Sequence, residues 1–312
     1  MKKERILIIK LGALGDFILS VSRMFWIKKQ HPNASFTLMT GSLYVRIARC
    51  MGIFDSYIVD NRTSYWNLAD KYRICKEVKA GDFDCVYDLQ SVARTRARYF
   101  SVFRFLCRKP VRWIDTREWD ERRVTPRCCG LPGKVERREL VKEPVERGHL
   151  EFMKANPELL KSLPHPYVLM IPGCSPTHPH KRWPAESFAA LAERLAAKGI
   201  HTVVIGTKAE AVEVNRVAAA SPMVLNLLGK TGIEDIPDLA RHALASVGND
   251  TGPSHMASHT SAPLIGLFAA RKKPCSLKGE KTFNIISPGV IDLISVDEVW
   301  EALLPYISSQ FK

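Results

Sequence analysis

The chain has 312 residues, of which 46% are hydrophobic and 25% charged, and its 46 Lys+Arg against 32 Asp+Glu give a formal net charge of +14. Those fractions exclude a disordered chain, and no apolar run approaches the ~18–20 residues of a membrane span. At roughly 100–200 residues per domain, the length suggests two domains.

The N-terminal apolar run breaks at Lys10 and enters a glycine loop with an Asp, so residues 5–10 read as a buried strand and not as a secretory leader. Residues 16–30 read as one helix that stops at His31-Pro32. Residues 36–39 and 57–60 are strands flanking a helix near 42–51, 84–88 and 111–114 are further strands, and 92–107 is a basic helix. Residues 117–145, charged and holding Pro126, Pro132 and Pro144, read as irregular. The prolines at 157, 164 and 166 crowd a domain boundary, giving domains 1–155 and 156–312. In the second half, 167–171, 201–205, 224–226, 245–248 and 263–268 read as strands. They alternate with helices at 185–198, 209–220, 236–244 and 253–259. Pro184 suits a first helical position, Gly199 a C-terminal cap, and Ser295 with Glu298 a capping box that opens a last helix to about 308. The alternation predicts two α/β domains with parallel sheets, facing each other across a cleft, with ligands at the carboxyl ends of the strands.

The eight cysteines form no C-x-x-C pair, which fits reduced thiols in the cytoplasm, and no metal-ligand spacing is present. Charge is uneven. Residues 1–150 carry 30 Lys+Arg against 17 Asp+Glu, a net of +13, while residues 151–312 carry 16 against 15. The densest stretch, 94–147, is interleaved with aromatic residues, as a surface for a polyanion would be. A solubilising surface is the plainer reading. No helix-turn-helix, RRM or zinc signature supports nucleic acid as the partner.

Four constellations carry chemistry. Gly12 and Gly15 follow the first strand and allow a tight turn into a helix that starts near Asp16, whose carboxylate the helix dipole keeps ionised. Asp250, Thr251, Gly252 and His255 lie between a strand and a helix start, where backbone amides suit a phosphate and Asp250 suits sugar hydroxyls. Ser175, Thr177, Lys181 and Arg182 follow a glycine turn, and either cation suits a diphosphate. Glu210, after the second strand of the second domain, suits ribose hydroxyls. Each also has a structural alternative: capping for Asp16, Asp250 and Thr251, a first-turn acid favourable to the helix dipole for Glu210, helix packing for His255, and a solvated surface for Lys181 and Arg182.

Taken in order, the strand-loop of residues 6–16, Lys181-Arg182-Trp183-Pro184, Leu228 to Thr231, and Gly248 to His255 resemble glycosyltransferase family 9, the ADP-heptose:lipopolysaccharide heptosyltransferases. The resemblance implies a GT-B architecture of two Rossmann-like domains, inversion at the anomeric carbon and no essential metal. It implies Asp16 as the base and Lys181 on the phosphates, with Thr177 assisting. It further implies Asp250, Thr251, Gly252 and His255 on the donor, and Glu210 on its ribose. Where the family has Gly-Pro-Thr after Phe268, this chain has Ala-Ala-Arg-Lys-Lys-Pro at 269–274, a departure beside the donor. The expected activity is transfer of heptose from ADP-heptose to the lipopolysaccharide inner core, an anionic lipid A–Kdo-type glycolipid, at the inner face of the inner membrane. The basic first domain, with Arg94, Arg96 and Arg98, is the expected acceptor side. The alternatives are another nucleotide sugar or glycan acceptor on the same fold, or a non-catalytic nucleotide or glycolipid binder.

Overall fold

The computed structural model describes residues 3–63, 67–90, 111–115, 150–270, 277 and 279–308. The chain divides into two units, Met1–Glu146 and Arg147–Lys312. The expected basic helix at 92–107, the irregular stretch at 117–145 and the residues Arg94, Arg96 and Arg98 lie outside the described residues.

In the first unit the order is β1 (Arg5–Ile9), α1 (Leu14–Ile18), α2 (Val21–Gln30), β2 (Ser35–Thr40), α3 (Ser42–Met51), β3 (Ser56–Val59), α4 (Leu68–Gly81), β4 (Cys85–Asp88) and β5 (Arg112–Asp115). The strands pair in parallel in the order β3-β2-β1-β4-β5. Ile6 to Ile9 are all fully buried, as a parallel strand covered on both faces requires. The order reverses between β1 and β4, so the crevice for a ligand opens beyond their carboxyl ends. The single helix expected over 16–30 is two. Ser20 Oγ donates to the Asp16 carbonyl at 2.7 Å, and a turn at Leu19–Ser20 separates α1 from α2. Helix α4 has no counterpart in the sequence reading. It buries only Ile74 and Val78, too narrow a stripe to stand out, and Asn67 caps it by accepting from the Asp70 N–H.

The second unit holds α5 (Pro157–Lys161), β6 (Tyr167–Ile171), α6 (Ala185–Ala196), β7 (His201–Gly206), α7 (Ala211–Ala218), β8 (Val224–Leu228), α8 (Ile236–His242), β9 (Ala245–Asn249), α9 (Gly252–Ser258), β10 (Leu264–Phe268), β11 (Thr282–Ile286) and α10 (Val296–Ile307). The parallel order β11-β10-β9-β6-β7-β8 reverses between β6 and β9. Strand β11 and helix α5 were not anticipated. Pro184 is the N-cap of α6 and not its first helical residue, and the helix expected from 209 starts with a 3-10 turn at Lys208–Glu210. Ser295 and Glu298 form the expected capping box on α10. The segment ahead of α5 is fixed to this unit. Leu150 N–H donates to the His259 carbonyl, Ala155 N–H to Asp238, and Arg241 bonds the carbonyls of Leu150 and Met153. Trp183 anchors the core, with its indole N–H on the Ile294 carbonyl at 2.8 Å and its ring edge-on to Phe188.

Candidate active site

Each unit presents a polar cluster at the carboxyl ends of the strands where its sheet order reverses. In the first unit, the Lys10 N–H donates to the Met39 carbonyl, Thr40 Oγ1 to the Lys10 carbonyl, and Leu11 N–H to Gln90 Oε1 at 3.0 Å. Lys10 is buried and gives its ammonium to the Leu89 carbonyl at 3.2 Å. Burial lowers its pKa, and the carboxylates of Asp16 and Asp88 act against that fall. Gly12 sits close against its neighbours: a Cβ would stand 3.0 Å from Gln90 Oε1 and 3.3 Å from Asp16 Cβ, so both side chains would have to give way by a few tenths of an ångström. Asp16 occupies the first turn of α1, exposed to solvent, with Gly15 beside it in the same turn. Tyr44 of α3 stacks on Phe17 at 5.1 Å, and the Asp16 charge reaches its hydroxyl. The carboxylate therefore stands in a cationic and aromatic surround, free to meet a hydroxyl from solvent.

In the second unit, the structure brings three predicted residues together. Lys181 Nζ donates to Asp250 Oδ2 at 2.6 Å, and His255 Nε2 faces Asp250 Oδ1 at 3.7 Å. The side chains are 18%, 8% and 12% exposed for Lys181, Asp250 and His255. Burial alone would raise the Asp250 pKa, but His255 and Lys181 outweigh it and hold the carboxyl well below its usual range. Among the described residues, His255 Nδ1 is buried and has no hydrogen-bond partner. Thr251 is the N-cap of α9 by backbone geometry, without a side-chain cap, and Gly252 opens the helix.

The loop from β6 to α6 is held by Asn249, a residue the sequence reading passed over. Its Nδ2 donates to the Pro172 carbonyl at 2.7 Å and its Oδ1 accepts from Trp183 N–H at 3.0 Å. An Asn at the carboxyl end of a strand, directly before the Asp of the motif, was the available signal. Arg182, a candidate cation, is engaged structurally by Glu213 and the Cys174 carbonyl. Ser175 and Thr177 are exposed and bonded to each other at 2.8 Å, with Thr177 also on His178 Nδ1. Glu210 accepts from Thr207 N–H and Oγ1, both at 2.7 Å, so its carboxylate closes the 3-10 turn. It also packs over Gly173, where a Cβ would stand 2.6 Å from its Cδ. Among the described residues, no group of three or more His, Cys, Asp or Glu side chains is placed to share a metal ion.

Two doubly wound units with polar clusters at both switch points define an α/β protein of the GT-B kind. Its backbone matches that of E. coli ADP-heptose lps heptosyltransferase II with a TM-score of 0.71 at 20% identity, over 99% of this chain and 100% of that one. It matches the E. coli heptosyltransferase WaaC with ADP with a TM-score of 0.72 at 17% identity, over 97% and 99% of the two chains. In sequence, it is 30% identical to lipooligosaccharide heptosyltransferase 2 of Haemophilus influenzae over 154 residues, 47% of this chain. That match spans 43% of the relative's length. Residues 123–276 match the family model of glycosyltransferase family 9 (heptosyltransferase). That stretch, just under half of the chain, is similar to glycosyltransferase family 9.

Proposed function

We propose that the chain is an inverting, metal-independent glycosyltransferase that moves heptose from ADP-heptose to the lipopolysaccharide inner core. The observation that carries the reading is the Lys181–Asp250–His255 cluster at the switch point of the second sheet. A half-buried cation held by a carboxylate is ready to exchange that partner for a diphosphate, and the carboxylate is then available to sugar hydroxyls. The amides of Thr251 and Gly252 add donors beside it.

In this reaction the Asp16 carboxylate takes the proton of an acceptor hydroxyl as the hydroxyl's own oxygen bonds to the anomeric carbon. The bond from the anomeric carbon to the diphosphate oxygen breaks on the opposite side, which inverts the centre. Lys181 stabilises the charge that develops on the departing ADP. The basic first half suits an acceptor bearing phosphates and acidic sugars at the inner face of the inner membrane. The Asp16 carboxylate favours catalysis over binding alone, because holding a donor in the second unit does not require it.

The test is incubation with a panel of nucleotide sugars, read as thermal shift and slow donor hydrolysis. ADP-heptose should give the largest shift and the fastest release of ADP, with or without EDTA. A larger response to another nucleotide sugar reassigns the donor. Activity lost in EDTA and restored by magnesium overturns the metal-free mechanism.

A further inference from the structure

Helix α4 presents an outward stripe that the proposed chemistry does not use. At about 100° per residue, Leu68, Tyr72, Lys76 and Lys79 fall within an arc of roughly 80°. Leu68 is 72% and Tyr72 73% exposed, among the most exposed large hydrophobic side chains described. Lys76 and Lys79 are exposed as well. The opposite face holds the helix to the sheet through Ile74 and Val78.

The acidic residues of the helix do not neutralise this stripe. Arg73 bonds Asp70 at 2.5 Å and Glu77 at 2.9 Å, so both carboxylates are engaged on another face. Among the described residues, Lys76 and Lys79 have no acidic partner. The stripe is therefore apolar and aromatic in its first turns and cationic in its last. The first turns also lie at a defined end of the sheet. Arg73 donates to the Val59 carbonyl, the last residue of β3, and Thr63 Oγ1 bonds Asp70 at 2.6 Å. Leu68 and Tyr72 thus stand toward the strand ends that carry the Asp16 loop.

We infer that this face of α4 docks on an anionic lipid bilayer. Leucine and tyrosine side chains seat in the boundary between headgroups and acyl chains, with the phenol at headgroup depth, and lysines reach lipid phosphates through apolar stems. Charge complementarity selects the bilayer over a second copy of the chain, because two such stripes would bring their lysines together, and residues 1–150 already carry a net +13. The inference gives the membrane contact in the proposed function a specific surface. It leaves the donor chemistry untouched.

The experiment is co-sedimentation of the full chain with vesicles of phosphatidylcholine containing about one third phosphatidylglycerol. The double variants Leu68→Ser/Tyr72→Ser and Lys76→Gln/Lys79→Gln are compared with wild type. Wild type should bind, and bind less at high salt or to phosphatidylcholine alone. Each double variant should lower partitioning by roughly tenfold or more, with thermal unfolding and calorimetric ADP affinity unchanged. Wild-type partitioning in both variants, or no binding by wild type, overturns the inference. So does a change of oligomeric state in Leu68→Ser/Tyr72→Ser with vesicle binding intact, which makes the face a contact between copies. Donor hydrolysis needs no bilayer, so failure of the glycosyltransferase reading shows there independently.

Discussion

Lys181 and Arg182 are adjacent cations with opposite fates, and the difference is testable. Arg182 is engaged by Glu213 and the Cys174 carbonyl, which ties the loop to α7, while Lys181 meets a carboxylate that a substrate can replace. Lys181→Ala should weaken ADP binding by about 1.5–3 kcal/mol, the range for hydrogen bonds to charged groups. Arg182→Ala should lower the melting temperature and leave ADP affinity near wild type. Calorimetry that finds equal ADP affinity for wild type and Lys181→Ala removes Lys181 from the diphosphate site. Asp250 supplies a pH signature. Its folded pKa is depressed, so its contribution to stability is complete above the ordinary carboxylate value of about 3.9 and is lost as pH falls toward the lower folded value. The stability gap between wild type and Asp250→Asn, measured by denaturant unfolding without ligand, should hold steady from neutral pH to about 5 and narrow below about 4. A gap that widens in acid reverses the assignment. For Asp16, the expectation is kinetic. Asp16→Asn should cut turnover by roughly 10²–10⁴-fold with donor affinity little changed. Turnover within a few-fold of wild type reduces the residue to its place in the first turn of α1.

At the scale of elements, the loop from β6 to α6 depends on Asn249 and on the close approach of β9 to its neighbours. Asn249→Ala leaves the Pro172 carbonyl and the Trp183 N–H without their partner, each at about 1–3 kcal/mol. Both the melting temperature and ADP affinity should fall, since Trp183 follows Lys181 by two residues; a fall in melting temperature alone separates the loop from the site. A Cβ on Gly248 would stand 2.5 Å from Ser254 Oγ and 2.9 Å from Ile171 Cβ, so Gly248→Ala should be destabilised by about 1–3 kcal/mol. Such contacts explain what the sequence could and could not disclose. The fully buried runs of β1, β6 and β10 are legible because continuous apolar strands have few other uses. The glycine turns and the Asp250 motif are legible because they punctuate those strands. Helix α4 was not, since two buried residues in fourteen leave little periodicity. Strand β11 was not, because it is a half-exposed edge strand with no fully buried residue. The break at Leu19–Ser20 is set by one hydroxyl bonding back to Asp16, which no helical pattern reveals. The Lys181–Asp250 pairing joins residues 69 positions apart and becomes visible only once both loops meet at the switch point.

For the whole molecule, the charge division implies two electrostatic duties that separate by experiment. The second unit has a near-neutral balance, and the cation at its cluster is matched to a carboxylate, so the proposed donor site adds little net charge to the surface. The first half carries a net +13, with its densest stretch at residues 94–147. The polyanionic acceptor proposed above would match that charge, because several phosphates and acidic sugars together reward a dense field more than any single pair does. Neutralising Arg94, Arg96 and Arg98 together should therefore raise the acceptor KM and leave ADP affinity and donor hydrolysis unchanged. The rise should shrink with added salt, because exposed charges are screened beyond about 8–10 Å at physiological ionic strength. The variants on α4 give the complementary result: weaker binding to vesicles, but unaltered kinetics on a soluble, delipidated acceptor. If the triple arginine variant keeps wild-type acceptor kinetics at low salt, those arginines form a solvated face, and the acceptor's charges must be met by other cations of the first half.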